Sequence, residues 1–180
     1  MTATRRAAGS LIAVDGVNGA AVNAAAKKAI KSMPRSERGG VSLWDASGLF
    51  GELVAADDGA GRPSARTLLL LYAADLAFRL RWEIRPAIAE GRTVAAAPYV
   101  ATAIAFGRAA GLPGGWLKNL FAFAARPDAV QLVDKASPRK AKPLCFVDFA
   151  CDHLASNGRG LSRRQLAARA RSHLKVSARF

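Results

Sequence analysis

Residues 11–14, an apolar run, enter a glycine-bearing turn, Asp15-Gly16-Val17-Asn18-Gly19, and leave it in an alanine-rich, lysine-containing segment. A buried strand, a tight turn and a helix in that order constrain the chain to an α/β layout, because such a strand must be covered on its faces by helices. The same order builds a phosphate-cradling loop. In such a loop glycines let backbone amides close around phosphates, a Lys reaches the outer phosphates, and a Ser or Thr hydroxyl holds Mg²⁺. Where the spacing puts that Lys and the hydroxyl pair, this chain has Val22, Asn23 and Ala24. The candidate phosphate-loop positions are therefore Asp15, Gly16, Asn18, Gly19, Val22 and Asn23, with the shape retained and the working side chains replaced.

The rest of the chain alternates in the same way. Helical composition is expected over residues 20–32, a turn over 34–40, a second strand over 41–44, and a loop over 45–63 with a short helix near 50–55. Residues 64–90 form the longest periodic segment. There Leu69, Tyr72, Ala73, Leu76, Leu80 and Ile84 recur at helical spacing on one face, and Gly91 stops the helix. Residues 93–97 are apolar after Thr93 and read as a strand covered on both sides. Helices over 99–109 and 116–125, a strand over 130–133, a basic loop over 135–143, a fifth strand over 144–149 and a terminal helix over 163–174 complete the pattern. The expectation is a single domain over residues 1–180, a three-layer α/β/α sandwich on a parallel sheet.

Composition narrows the classes. A chain of 180 residues with 51% hydrophobic content can bury a sizeable core and is not of disordered composition. No apolar run is long enough to span a bilayer, and no export signal is visible, so a cytoplasmic protein with no membrane contact is expected. Cys145 and Cys151 match no common zinc spacing with His153 and read as structural thiols, with no metal site. The formal net charge of +14, from 27 basic and 13 acidic residues, favours polyanion contact or a solvated basic surface. Seven of the basic residues lie between Arg159 and Phe180, a stretch without an acid. Lys135, Arg139, Lys140 and Lys142 form a second cluster.

Four segments in order resemble the thymidylate kinase family of P-loop nucleoside monophosphate kinases. Asp15-Gly16-Val17-Asn18-Gly19-Ala20-Ala21-Val22-Asn23 stands for that family's Glu-Gly-x-Asp-Gly-x-Gly-Lys-Ser/Thr. Leu70-Leu71-Tyr72-Ala73-Ala74-Asp75-Leu76 stands for its Leu-Leu-Phe-x-Ala-Asp/Asn-Arg. Gly91-Arg92-Thr93-Val94, then Ala97-Pro98-Tyr99 with Thr102 and Phe106 downstream, stand for its Gly-x-x-Val and Asp-Arg-Tyr segments. Arg126-Pro127-Asp128, before a strand ending at Asp134, stands for its Arg-Pro-Asp segment. The resemblance is strongest over residues 11–134. Beyond it, residues 135–143 are a shortened, basic, lid-like loop, which implies a deletion, and residues 159–180 carry a basic C-terminal helix.

The resemblance implies a site and its losses. Val22 replaces the phosphate Lys, Ala97 and Pro98 replace the metal-side Asp and the monophosphate-clamping Arg, Leu76 replaces an Arg that reads the thymine edge, and Asp45 stands near an acceptor-site Arg. A residual nucleoside pocket would comprise Tyr72, Leu76, Tyr99, Thr102 and Phe106, although core filling accounts equally for the aromatics. Phosphoryl transfer depends on positioning and electrostatics, so the expectation is a non-catalytic, thymidylate kinase-like binding or regulatory module without cofactor. Partnership through a homodimer or another protein is implied by the family's helix-mediated dimers. The alternatives are an active nucleotide kinase using ATP and Mg²⁺, and a basic protein that contacts nucleic acid through residues 159–180.

Overall fold

In the structure, a computed structural model that describes residues 9–55, 61–134, 146–153 and 162–178, β1 (Leu11–Gly16) sits inside a parallel four-stranded sheet. Its neighbours are β3 (Thr93–Ala97) on one side and β4 (Ala129–Val133) on the other, with β2 (Arg38–Leu43) outside β3. Leu11 pairs with Val94, and Ile12 with Ala95 and Ala129. The alternation along the strands separates two cores, as the two-residue period of a strand requires. Val14, Ala95, Ala97 and Val133 face α1 (Gly19–Lys31), which returns Val22, Ala26 and Ile30 at four-residue steps. Leu11, Ala13, Val94 and Ala96 face the larger core on the opposite side.

That larger core is closed by α3 (Ala65–Arg79), α5 (Val100–Ala109), α7 (Phe146–His153) and α8 (Arg163–Ser177), with the shorter α2 (Leu49–Ala55), α4 (Arg85–Ala89) and α6 (Gly114–Leu120) around it. The apolar face read from the sequence over residues 64–90 is buried throughout, from Leu69 to Ile84. It runs through α3, a π-turn at Leu80–Ile84 and α4, and it ends where Gly91 takes φ 78°, a left-handed value that glycine adopts without penalty. Ser64 caps α3 by accepting from Thr67 N, and a reciprocal Ser162–Gln165 box caps α8.

Several boundaries move by a few residues. The second strand begins at Arg38 and ends at Leu43, and the helix expected over 116–125 is α6, Gly114–Leu120. One expectation is overturned. The fifth strand over 144–149 does not form, because Phe146 opens α7. Phe146, Phe149 and Ala150, spaced three and four apart, are buried on one helical face, and a short apolar run does not distinguish that face from a strand. Residues 135–145, with Cys145, lie outside the described residues. Cys151 is half-buried against the larger core and is in no disulfide.

Candidate functional site

Helix α1 begins at Gly19, directly after Asn18, so the helix takes up the backbone that a phosphate-cradling loop would leave open. Asn18 caps it: its Oδ1 accepts from Ala21 N at 3.2 Å and its carbonyl from Val22 N at 2.9 Å. Gly16 N donates to Thr102 Oγ1 at 3.0 Å. The amides of Gly16, Ala21 and Val22 are thus engaged within the chain. Gly16 admits no side chain, since a Cβ there would stand 2.7 Å from the Val133 carbonyl oxygen. Val22 is fully buried among Val14, Ala26, Ala95, Ala97 and Val133. Asn23 is half-buried, and its Oδ1 is enclosed without a hydrogen-bond partner.

Asp15 is also buried, and its carboxylate holds the start of α5. Oδ1 accepts from Tyr99 N at 2.8 Å, Thr102 N at 2.9 Å and Thr102 Oγ1 at 2.6 Å. Desolvation pushes its pKa above the ordinary carboxyl value, and these hydrogen bonds oppose that shift without cancelling it. The group that begins the loop motif is therefore a cap for another helix.

A second polar knot lies under the sheet end at Pro98. Asp75 and Arg79, one turn apart on α3, are both fully buried, with Arg79 Nε 3.0 Å from Asp75 Oδ2. The contact is an ion pair and not a linear hydrogen bond. Asp75 also accepts from Asp45 N, Ser47 N and Ser47 Oγ at 3.1, 3.0 and 2.8 Å. Arg79 donates through Nη1 to the Pro98 carbonyl at 3.1 Å and through Nη2 to the Tyr72 hydroxyl at 3.3 Å. The Tyr72 hydroxyl is 3.0 Å from the Pro98 carbonyl oxygen and 2.9 Å from that of Tyr99. Burial raises the Tyr72 pKa far above the ordinary phenol value. Tyr99, whose hydroxyl donates to the Ala125 carbonyl at 2.6 Å, is pushed up to about 12 by the same cause. Asp45 takes φ 58° and its carboxylate receives Phe50 N and Gly51 N, so it caps α2. Arg79 was missed by the motif reading. Its signal was an Arg four residues after Asp75, on the helix face that also carries Tyr72 and Leu76.

The five pocket candidates lie close together but are all buried. Between Tyr72 and Phe106 stands Phe146 of α7, its ring centroid 4.6 Å from that of Tyr72 and 5.1 Å from that of Phe106. Phe50 approaches Phe146 from another side at 5.8 Å. Leu76 joins the same core, while Thr102 serves Asp15 and Gly16. Among the described residues no group of three His, Cys, Asp or Glu side chains could hold a metal ion, and no helix is long and apolar enough to cross a membrane. On α8, Leu166, Ala170 and Leu174 are buried, and Arg164, Arg169 and Lys175 are exposed. Arg171 is half-buried, its Nε 3.2 Å from Asp134 Oδ1.

No family model matches the chain. A thymidylate kinase of Xanthomonas oryzae pv. oryzae (strain PXO99A) is 32% identical over 139 residues, which is 77% of this chain and 61% of that protein. A probable thymidylate kinase of Thermococcus gammatolerans is 42% identical over 77 residues, covering 43% of this chain and 36% of the relative. The chain thus spans less than two-thirds of the length of these curated relatives. The crystal structure of thymidylate kinase from Ehrlichia chaffeensis superposes with a TM-score of 0.66 at 13% identity, covering 95% of this chain and 87% of that one, a likeness of fold alone.

Proposed function

Because this chain belongs to the thymidylate kinase family, we propose that it keeps the family scaffold as a binding or regulatory module and does not transfer phosphate. The observation that carries this reading is Val22. At the position of the phosphate Lys it is a fully buried side chain of the α1 core, with no route for a cation to an outer phosphate. Mg²⁺-ATP does not fit the residues present. The amides of Gly16, Ala21 and Val22 already have partners, and Asn23 offers an amide where a metal-binding hydroxyl is needed. On the acceptor side, Phe146 fills the space between Tyr72 and Phe106, and Arg79 is bound to Asp75 and the Pro98 carbonyl. Losing one transition-state cation can cost about 10³-fold or more in rate, so the joint replacement leaves no catalytic apparatus. Coupled ADP release with thymidylate as acceptor tests this. Turnover of about 1 s⁻¹ or more, within the usual enzyme range, ends the reading.

A second copy of the chain is the partner the surface supports. Leu70, Phe78 and Trp82 are 50%, 39% and 62% exposed along α3 and its π-turn. They recur at four- and eight-residue steps opposite the buried face, and the family's dimers form through helices. Light scattering on the full chain and on Leu70→Glu/Trp82→Glu tests it: a dimer that the substitutions split into monomers supports pairing, and a wild-type monomer rejects it.

A further inference from the structure

A cleft of about 630 Å³ opens between β1, the first half of α5, the segment from Lys118 to Val130, and the end of α8. Gly16, Asn18, Val22 and Asn23 do not line it; of the phosphate-loop positions Asp15 does, and of the pocket candidates Tyr99 does. Its size lies within the range of small-molecule sites, about 300–1,000 Å³. Ala13, Ile104, Phe121 and Val130 supply an apolar wall. Val130 is 46% exposed at the open side of β4, so the wall reaches the surface.

The polar groups of the cleft divide into two kinds. Asp15 serves the amides of Tyr99 and Thr102, Tyr99 donates to the Ala125 carbonyl, and Ser177 Oγ donates to the His173 carbonyl at 2.9 Å. These have internal partners. Lys118 and Arg126 are exposed cations lining the same cleft, and neither has an ion-pair or hydrogen-bond partner among the described residues. Asp15, the carboxylate among the described lining residues, is buried beneath the wall and is occupied by the amides of Tyr99 and Thr102. An apolar recess rimmed by two exposed cations suits a ligand with an apolar body and a negative head. Burying the body is favourable in proportion to the apolar area removed from water, and the head meets the charges where water still reaches them.

We propose that this cleft is a binding site for an amphipathic anion of the fatty-carboxylate class, its chain against Ile104, Phe121 and Val130 and its carboxylate at Lys118 and Arg126. The test is calorimetric titration of the full chain with dodecanoate, kept below its aggregation concentration. Saturable one-to-one binding is expected, weakened about tenfold in Lys118→Ala/Arg126→Ala. Val130→Trp or Ala122→Trp abolishes it, because each places an indole in the cleft from an exposed position where folding tolerates the change. A urea titration verifies that both variants fold. Dodecyltrimethylammonium, with the same chain and the opposite charge, binds at least tenfold more weakly. No saturable binding by the wild type below about 1 mM, equal affinity for the cation, or unchanged dodecanoate affinity in both tryptophan variants overturns the proposal. Neither ATP nor thymidylate displaces dodecanoate, so this outcome is independent of whether the chain transfers phosphate.

Discussion

Arg79 Nε lies 3.0 Å from Asp75 Oδ2, one helical turn away, and both side chains are wholly enclosed between α3 and the strand ends. The pair ties three segments together. Asp75 fixes the loop at Asp45 and Ser47, and Arg79 fixes the Pro98 carbonyl after β3. Breaking one partner of such a pair leaves an uncompensated buried charge, which costs about 3–5 kcal/mol. Arg79→Met should lower stability by that amount in urea unfolding. Arg79→Met/Asp75→Asn should lower it by less than the sum of the two single changes. Strict additivity would show that the two side chains are not coupled.

Val22→Lys should destabilise the fold by about 2–4 kcal/mol and restore no kinase activity, because it sets an ammonium among Val14, Ala26 and Val133. The urea midpoint and ADP release are read on the same preparation. A lysine variant as stable as the wild type would mean that α1 presents position 22 to solvent.

Phe146→Ala should cost about 3–5 kcal/mol, the range for emptying a large aromatic site. The ring touches Tyr72, Phe106 and Phe50, which cannot all close the gap at once. Thermal melts with and without benzene should show partial recovery in the variant and none in the wild type. A loss below about 1 kcal/mol would place Phe146 outside the core.

Asp15 sets a pH dependence. Its folded pKa is raised above the unfolded value, so the folded state binds the proton more tightly. The stability this contributes is fully present below the ordinary carboxyl value of 3.8 and is lost as pH rises through the folded pKa. Asp15→Asn keeps a carbonyl for Tyr99 N and Thr102 N and cannot ionise. The variant should therefore gain on the wild type as pH rises from about 3.5 to 8. Urea midpoints across that interval decide it, and a wild type that gains on the variant with rising pH reverses the assignment.

Any affinity for duplex nucleic acid should reside on the exposed face of α8. Arg164→Ala/Arg169→Ala/Lys175→Ala should then reduce the slope of log affinity against log salt by up to about 2.7, at roughly 0.9 for each phosphate no longer neutralised. Arg171→Ala should instead act on stability, through its pairing with Asp134. Fluorescence anisotropy in a salt series separates the two effects, and an unchanged slope in the triple variant removes α8 from any such role.

Periodicity made the frame of this protein legible. The apolar face from Leu69 to Ile84 belongs to a helix under any tertiary arrangement, and residues 93–97 appear in the fold with the bounds read from the sequence, Thr93–Ala97. The glycine turn after β1 and the replacement of Lys by Val22 are likewise local facts of the chain. Tertiary structure decided what those residues touch. Phe146 and Phe149 fit a strand or a helix equally well over so short a run, and only the space between Tyr72, Phe106 and Phe50 selects the helix. Asp15 reads as a residue of the loop motif and Arg79 belongs to no motif, yet Asp15 caps a helix 84 positions away through Tyr99, and Arg79 bonds a carbonyl 19 positions away. The physical reason is range. Spacing along a chain encodes which face of an element is apolar, whereas the partner of a buried charge is set by which distant elements meet there.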